Sequence, residues 1–75
     1  MIDKKILPKM SYEEVEEMMN QNNKAFEDLQ ERPEIALIAG IPHHVAVADI
    51  YSEQAQLMRR MAEIYDERAT ALRER

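Results

Sequence analysis

The sequence predicts an all-α fold: a helical hairpin of two main antiparallel helices plus a short connecting helical turn, assembling into a homo-oligomeric bundle. Three observations predict it. The first is composition. The 75 residues include one glycine and no tryptophan, 33% are charged, and Glu, Ala, Met, Arg and Gln dominate, which is the usage of helices. The second is a double column. Ala48, Ala55, Ala62 and Ala69 recur every seven residues, and each is followed three positions on by Tyr51, Met58, Tyr65 and Leu72. Small side chains let two helix backbones approach, and the large column beside them fills the groove. The third is size. A chain this short buries only about 60% of the surface it exposes when unfolded, so its core is marginal without a supplement. With no cysteine, disulfides and thiolate metal sites are excluded, and oligomerisation is the supplement left.

The elements follow in order. Residues 1–10 read as a flexible N-terminal arm, apolar at Ile2, Ile6, Leu7 and Met10 but interrupted by Pro8. Residues 11–75 read as a single helical-hairpin domain. Ser11-Tyr12-Glu13-Glu14 is a capping-box start, with Met10 placed to staple onto Val15. The apolar stripe Val15, Met18/Met19, Phe26, Leu29 has helical spacing, with Asn22 set into it. The first long helix is therefore expected from about Tyr12 to Glu31. Pro33 ends or kinks it and suits the start of a new turn, Ile35–Ala39. Gly40, the only glycine, stands where a left-handed C-cap is wanted, and Pro42 suits the start of the next helix.

The second long helix is expected from about His43 to Ala71 or beyond. Its columns Val47/Gln54/Met61/Arg68 and Ile50/Leu57/Ile64/Ala71 adjoin the double column. Together they form an apolar arc of about 160°, more than one neighbouring helix covers. At ~1.5 Å per residue this helix is about 45–50 Å long against about 30 Å for the first. The overhang with Tyr65 and Leu72 then needs another cover, and a second copy of the chain is the simplest.

Chemistry-bearing patterns are sparse. His43 and His44 diverge by about 100° on a helix and lack an i, i+3 or i+4 acidic partner, so they read as helix-start residues and not as metal ligands. Glu13, Glu14, Glu16 and Glu17 match no calcium loop and read as a solvated first turn. Ser11 is a cap and Ser52 lies on the polar face. No glycine-rich phosphate loop or P-loop lysine occurs. No enzyme activity, catalytic residue, cofactor or metal is expected. Arg59 and Glu63 are spaced for a helix-surface ion pair. Asn22 and Gln54 interrupt the two apolar stripes at comparable places. They read as register-setting residues if buried face to face, or with Tyr51 as the lining of a pocket for a small polar ligand. Arg68, at the edge of the arc, is the base best placed for an anionic partner or an intersubunit carboxylate. Met18, Met19, Met58 and Met61 supply adaptable core or contact surface.

The net charge of −5 is concentrated in residues 1–40 and disfavours direct nucleic-acid binding. The longest apolar run, 35–41, is too short for a bilayer, and residues 1–5 lack a secretory core, so no membrane association and a cytoplasmic location are expected.

Two resemblances accompany this reading. The alanine column beside a large column is similar to the layering of the repressor-of-primer bundle, a dimer of helical hairpins, although this chain lacks a basic face for RNA. Ser11-Tyr12-Glu13-Glu14-Val15 and Val45-Ala46-Val47-Ala48 loosely resemble the helix starts of phage proteins that sequester cyclic-nucleotide signals in anti-CBASS defence. Asp49 and Ile50 stand where that family has a threonine and a base, and no binding residue is carried over.

The expected function is that of a small acidic helical oligomer that binds and modulates or inhibits a partner protein, in the manner of phage or mobile-element accessory proteins. A cyclic-nucleotide sponge with pockets between subunits and a purely structural element are the alternatives. The expected oligomer interface is Ala48, Tyr51, Ala55, Met58, Ala62, Tyr65, Ala69 and Leu72, with Asn22, Gln54 and Arg68 as the polar ligand or register residues.

Overall fold

The computed structural model describes residues 5–75. Among them the chain forms a 3-10 turn at Leu7–Lys9 and the helices α1 (Tyr12–Glu31), α2 (Glu34–Ile38) and α3 (His43–Arg73), with no strand. The fold is all-α.

Each boundary has a local cause. At the start of α1 the Ser11 hydroxyl accepts from the Glu14 N–H at 3.3 Å, and Glu14 Oε1 accepts from the Ser11 N–H at 3.3 Å. Two of the orphan donors of the first turn are thereby satisfied. Met10 precedes the cap and shares a buried cluster with Val15, the staple that fixes how the chain enters the helix. Pro33 ends α1 through its predecessor. Arg32 is pushed out of the helical region to φ −132°, ψ 73°, as the ring of a following proline demands.

The end of α2 is a Schellman motif. The Gly40 N–H donates to the Leu37 carbonyl at 3.0 Å and the Ile41 N–H to the Ala36 carbonyl at 2.9 Å. Gly40 has φ +75°, where a side chain is strained. Pro42, at ψ 140°, then turns the chain into α3.

Early α1 residues meet late α3 residues. Tyr12 lies against Tyr65, Asn22 against Ile50 and Gln54, and Phe26 against Tyr51. The two helices therefore run side by side in opposite directions. Met10, Val15, Leu57 and Ile64 form the core, with Leu7, Tyr12, Met18, Met19 and Met61 packed around it. Leu29 and Ala36 are buried towards the other end. The extents of 53 × 23 × 16 Å are set by the 31 residues of α3.

Of the arm expected over residues 1–10, residues 1–4 lie outside the described residues. The remainder packs on α3: Leu7 borders the core and Met10 is in it. Arg60 secures this segment, with its Nε donating to the Met10 carbonyl at 3.0 Å. The same guanidinium contacts Glu63 at 3.1 Å and Glu67 at 3.6 Å. The ion pair expected between Arg59 and Glu63 is thus made by Arg60. Arg60 lies on the edge of α3 beside the N-terminal turn, where the Met10 carbonyl draws it in. That leaves Nη1 directed along the helix towards the two glutamates.

Candidate functional site

The arrangement of α3 against α1 divides its apolar arc into a used and an unused part. Leu57 and Ile64 are buried beneath α1, and Ile50, Gln54 and Met61 are partly covered. The adjoining column is not covered. Tyr51, Met58, Tyr65 and Leu72 retain 59%, 56%, 53% and 66% of their exposure. In the alanine column Ala48 and Ala62 are exposed and Ala55 and Ala69 partly covered. Isolated exposed hydrophobics are ordinary, but four large ones in line along one helix make a continuous patch.

Aromatic rings from α1 edge this patch. Phe26 packs on Tyr51 with ring centres 5.5 Å apart, and Tyr12 meets Tyr65 edge to face at 6.2 Å. Arg68 lies over the Tyr12 ring at 4.6 Å and reaches the Tyr65 ring at 6.0 Å. Its guanidinium gains attraction from the electron-rich ring faces. The Tyr12 hydroxyl is pushed up to about 12, first by its side-chain hydrogen bond with Tyr65 and then by the Glu16 carboxylate. Losing its proton there removes a donor and adds a like charge.

Asn22 and Gln54 meet inside the α1–α3 seam. The Asn22 amide nitrogen donates to Gln54 Oε1 at 2.8 Å and to the Ile50 carbonyl at 3.1 Å. Both donors of that nitrogen are used within the chain. Asn22 is 6% exposed. A slipped alignment of the two helices would bury the amide without partners.

His43 and His44 are exposed at the start of α3, and Glu13, Glu14, Glu16 and Glu17 are exposed along the first turns of α1. Among the described residues no three His, Cys, Asp or Glu side chains gather in a metal-holding group, and no helix is long and apolar enough to cross a membrane.

The residue pattern only half reveals the character of α2. This helix buries Ala36 but leaves Leu37 and Ile38 at 78% and 83% exposure. A five-residue helix presents one side to its neighbours, so a segment apolar all round cannot hide its far side. Beneath α2 an open apolar groove of about 400 Å³ is lined by Leu29, Ile35, Ala36, Ile41 and Ile50 among others. Comparison with protein-family models, with curated proteins and with solved structures finds no match to this chain.

Proposed function

We propose that this chain acts without catalysis, as a helical hairpin that associates with further copies of itself along α3 and, so assembled, binds and modulates a partner protein. The observation that carries the reading is the uncovered column Tyr51, Met58, Tyr65 and Leu72 beside the alanine column. Left in water, that patch opposes the hydrophobic effect over most of the length of the helix. At ~25 cal/mol per Å² of apolar surface removed from water, its burial would stabilise the assembled chain. Two packed copies make a bundle in which each long helix has two neighbours, as the width of its apolar arc requires.

The bound partner engages a different surface. Leu37 and Ile38 project from α2, apart from the α3 column, and the net charge of −5 favours a basic partner through steering and complementarity. An inhibitory or accessory role of this kind needs no catalytic group and no cofactor.

The test is solution mass as a function of concentration. Sedimentation is expected to show a dimer or larger species that dissociates on dilution. A well-folded monomer at high micromolar concentration overturns the reading. For the assembled protein, recovery of one stoichiometric protein from lysate is the expected partner result. A rise in melting temperature with a cyclic nucleotide and no such partner would redirect the function to small-ligand sequestration.

A further inference from the structure

The exposed column of α3 is complementary to itself in a single orientation. Laid antiparallel on a second copy of α3, about a two-fold axis level with residue 60, Ala48 meets Leu72 of the second copy and Tyr51 meets Ala69. Ala55 then meets Tyr65, and Met58 meets Ala62, with every pairing repeated across the axis. All eight residues pair small with large, so each bulky side chain enters the space left by an alanine. We propose that two copies of this chain join through α3 in this antiparallel, two-fold symmetric register. The proposal rests on the reading of α3 as a self-association surface and adds its orientation and alignment.

Charge selects the same register by a separate route. The columns on the flank away from α1 are Asp49/Gln56/Glu63/Thr70 and Ser52/Arg59/Asp66/Arg73, exposed except for the half-buried Gln56. Residues of the first column come level with residues of the second on the other copy. Asp49 then stands beside Arg73 of the second copy, and Glu63 beside Arg59. Gln56 falls beside Asp66, and Thr70 beside Ser52. Arg59 forms no ion pair with the described residues of its own chain, because Arg60 holds Glu63. The two Arg59 side chains approach across the axis, each flanked by the Glu63 of the other copy.

A slip of one heptad in one direction sets Glu63 beside Asp66, and in the other sets Asp49 beside Asp66. Either slip also leaves one alanine and one large residue at the end of the column without a counterpart. Parallel packing brings Arg68 beside Arg73 and stacks tyrosine on tyrosine and alanine on alanine. Like charges at the flanks reject the wrong alignments while the steric pattern favours the right one. The two-fold operation also closes the assembly, since the same patch serves both copies.

The absence of cysteine makes the test direct. Ser52→Cys and Thr70→Cys, each on the polar side of α3, take a single spin label in the otherwise unchanged full chain. In the proposed register the two labels at position 52 are separated along the helix by about 24 Å, and those at position 70 by about 30 Å, at ~1.5 Å per residue. A slipped register moves the two values apart, to about 34 and 20 Å or to about 14 and 40 Å. Parallel packing brings both label pairs level, separated only by the width of the interface. Any of these three results overturns the orientation or register and leaves the self-association reading standing. The absence of dipolar coupling in both variants, together with a monomer mass, overturns the self-association reading itself.

Discussion

The Asn22 amide nitrogen lies 2.8 Å from Gln54 Oε1 and 3.1 Å from the Ile50 carbonyl, so one buried side chain ties α1 to both the backbone and a side chain of α3. Asn22→Ala leaves Gln54 Oε1 without its donor, while the Ile50 carbonyl, inside α3, keeps the hydrogen bond of its own helix. The expected loss is about 1–3 kcal/mol of stability, read as a lower urea midpoint with an unchanged slope. Replacing both partners, Asn22→Leu with Gln54→Leu, restores most or all of it, because no orphaned polar group remains. The double variant is expected to be less specific in assembly, visible as additional oligomer masses in native mass spectrometry.

Arg60 makes contacts of unequal value. Its pairs with Glu63 and Glu67 involve carboxylates that are 60% and 69% exposed, and such pairs contribute little. The bond to the Met10 carbonyl is made by a guanidinium whose side chain is only 11% exposed. Arg60→Met is therefore expected to cost about 1–3 kcal/mol, whereas Glu63→Gln changes stability by a few tenths. Hydrogen exchange should show residues 7–10 losing protection in Arg60→Met and keeping it in Glu63→Gln.

Tyr12 couples stability to alkaline pH. Its folded-state value of about 12 lies above the ordinary tyrosine value of about 10, so folding favours the protonated hydroxyl. That contribution is fully present below pH ~10 and is lost as pH rises through the folded value. Melting temperature is expected to fall more steeply across this window in the wild type than in Tyr12→Phe. A tyrosinate absorbance titration of the same variant should lack the step near 12.

Ala62 separates folding from association. It is exposed within its own chain, so Ala62→Leu adds no clash to the α1–α3 seam. At a close helix approach between copies the extra volume forces the backbones apart. Light scattering is expected to show a smaller mass with helicity retained at high concentration. An unchanged mass would count against the alanine column as a contact surface.

The parts of the fold governed by local rules are legible in the residue order alone. Ser11 with Glu14, the proline at 33 and the glycine at 40 mark α1 and α2 because caps and turns are decided by a few adjacent residues. The Asn22–Gln54 meeting is legible because both residues break an apolar stripe at matching distances from the turn. Arg60 is not. Whether it or Arg59 takes Glu63 depends on which lies beside the Met10 carbonyl, and that is a contact across fifty residues. The tucked Leu7 and Met10 are hidden for the same reason. Pro8 signals a broken helix, but not that the 3-10 turn containing it docks on α3. Likewise, the periodicity of α3 marks a wide apolar arc without saying which columns α1 covers.

The burial of Met10 at 6% beside the openness of Met58 at 56% equips the chain with its own chemical footprint. Mild peroxide converts an accessible thioether to a sulfoxide and spares a shielded one. Oxidation of Met58 would thus mark copies caught apart, and its protection would mark copies caught together, with Met10 as the internal standard for a folded chain. An oxidised Met58 carries a polar oxygen into the centre of the stripe, so oxidant exposure would itself disfavour reassembly.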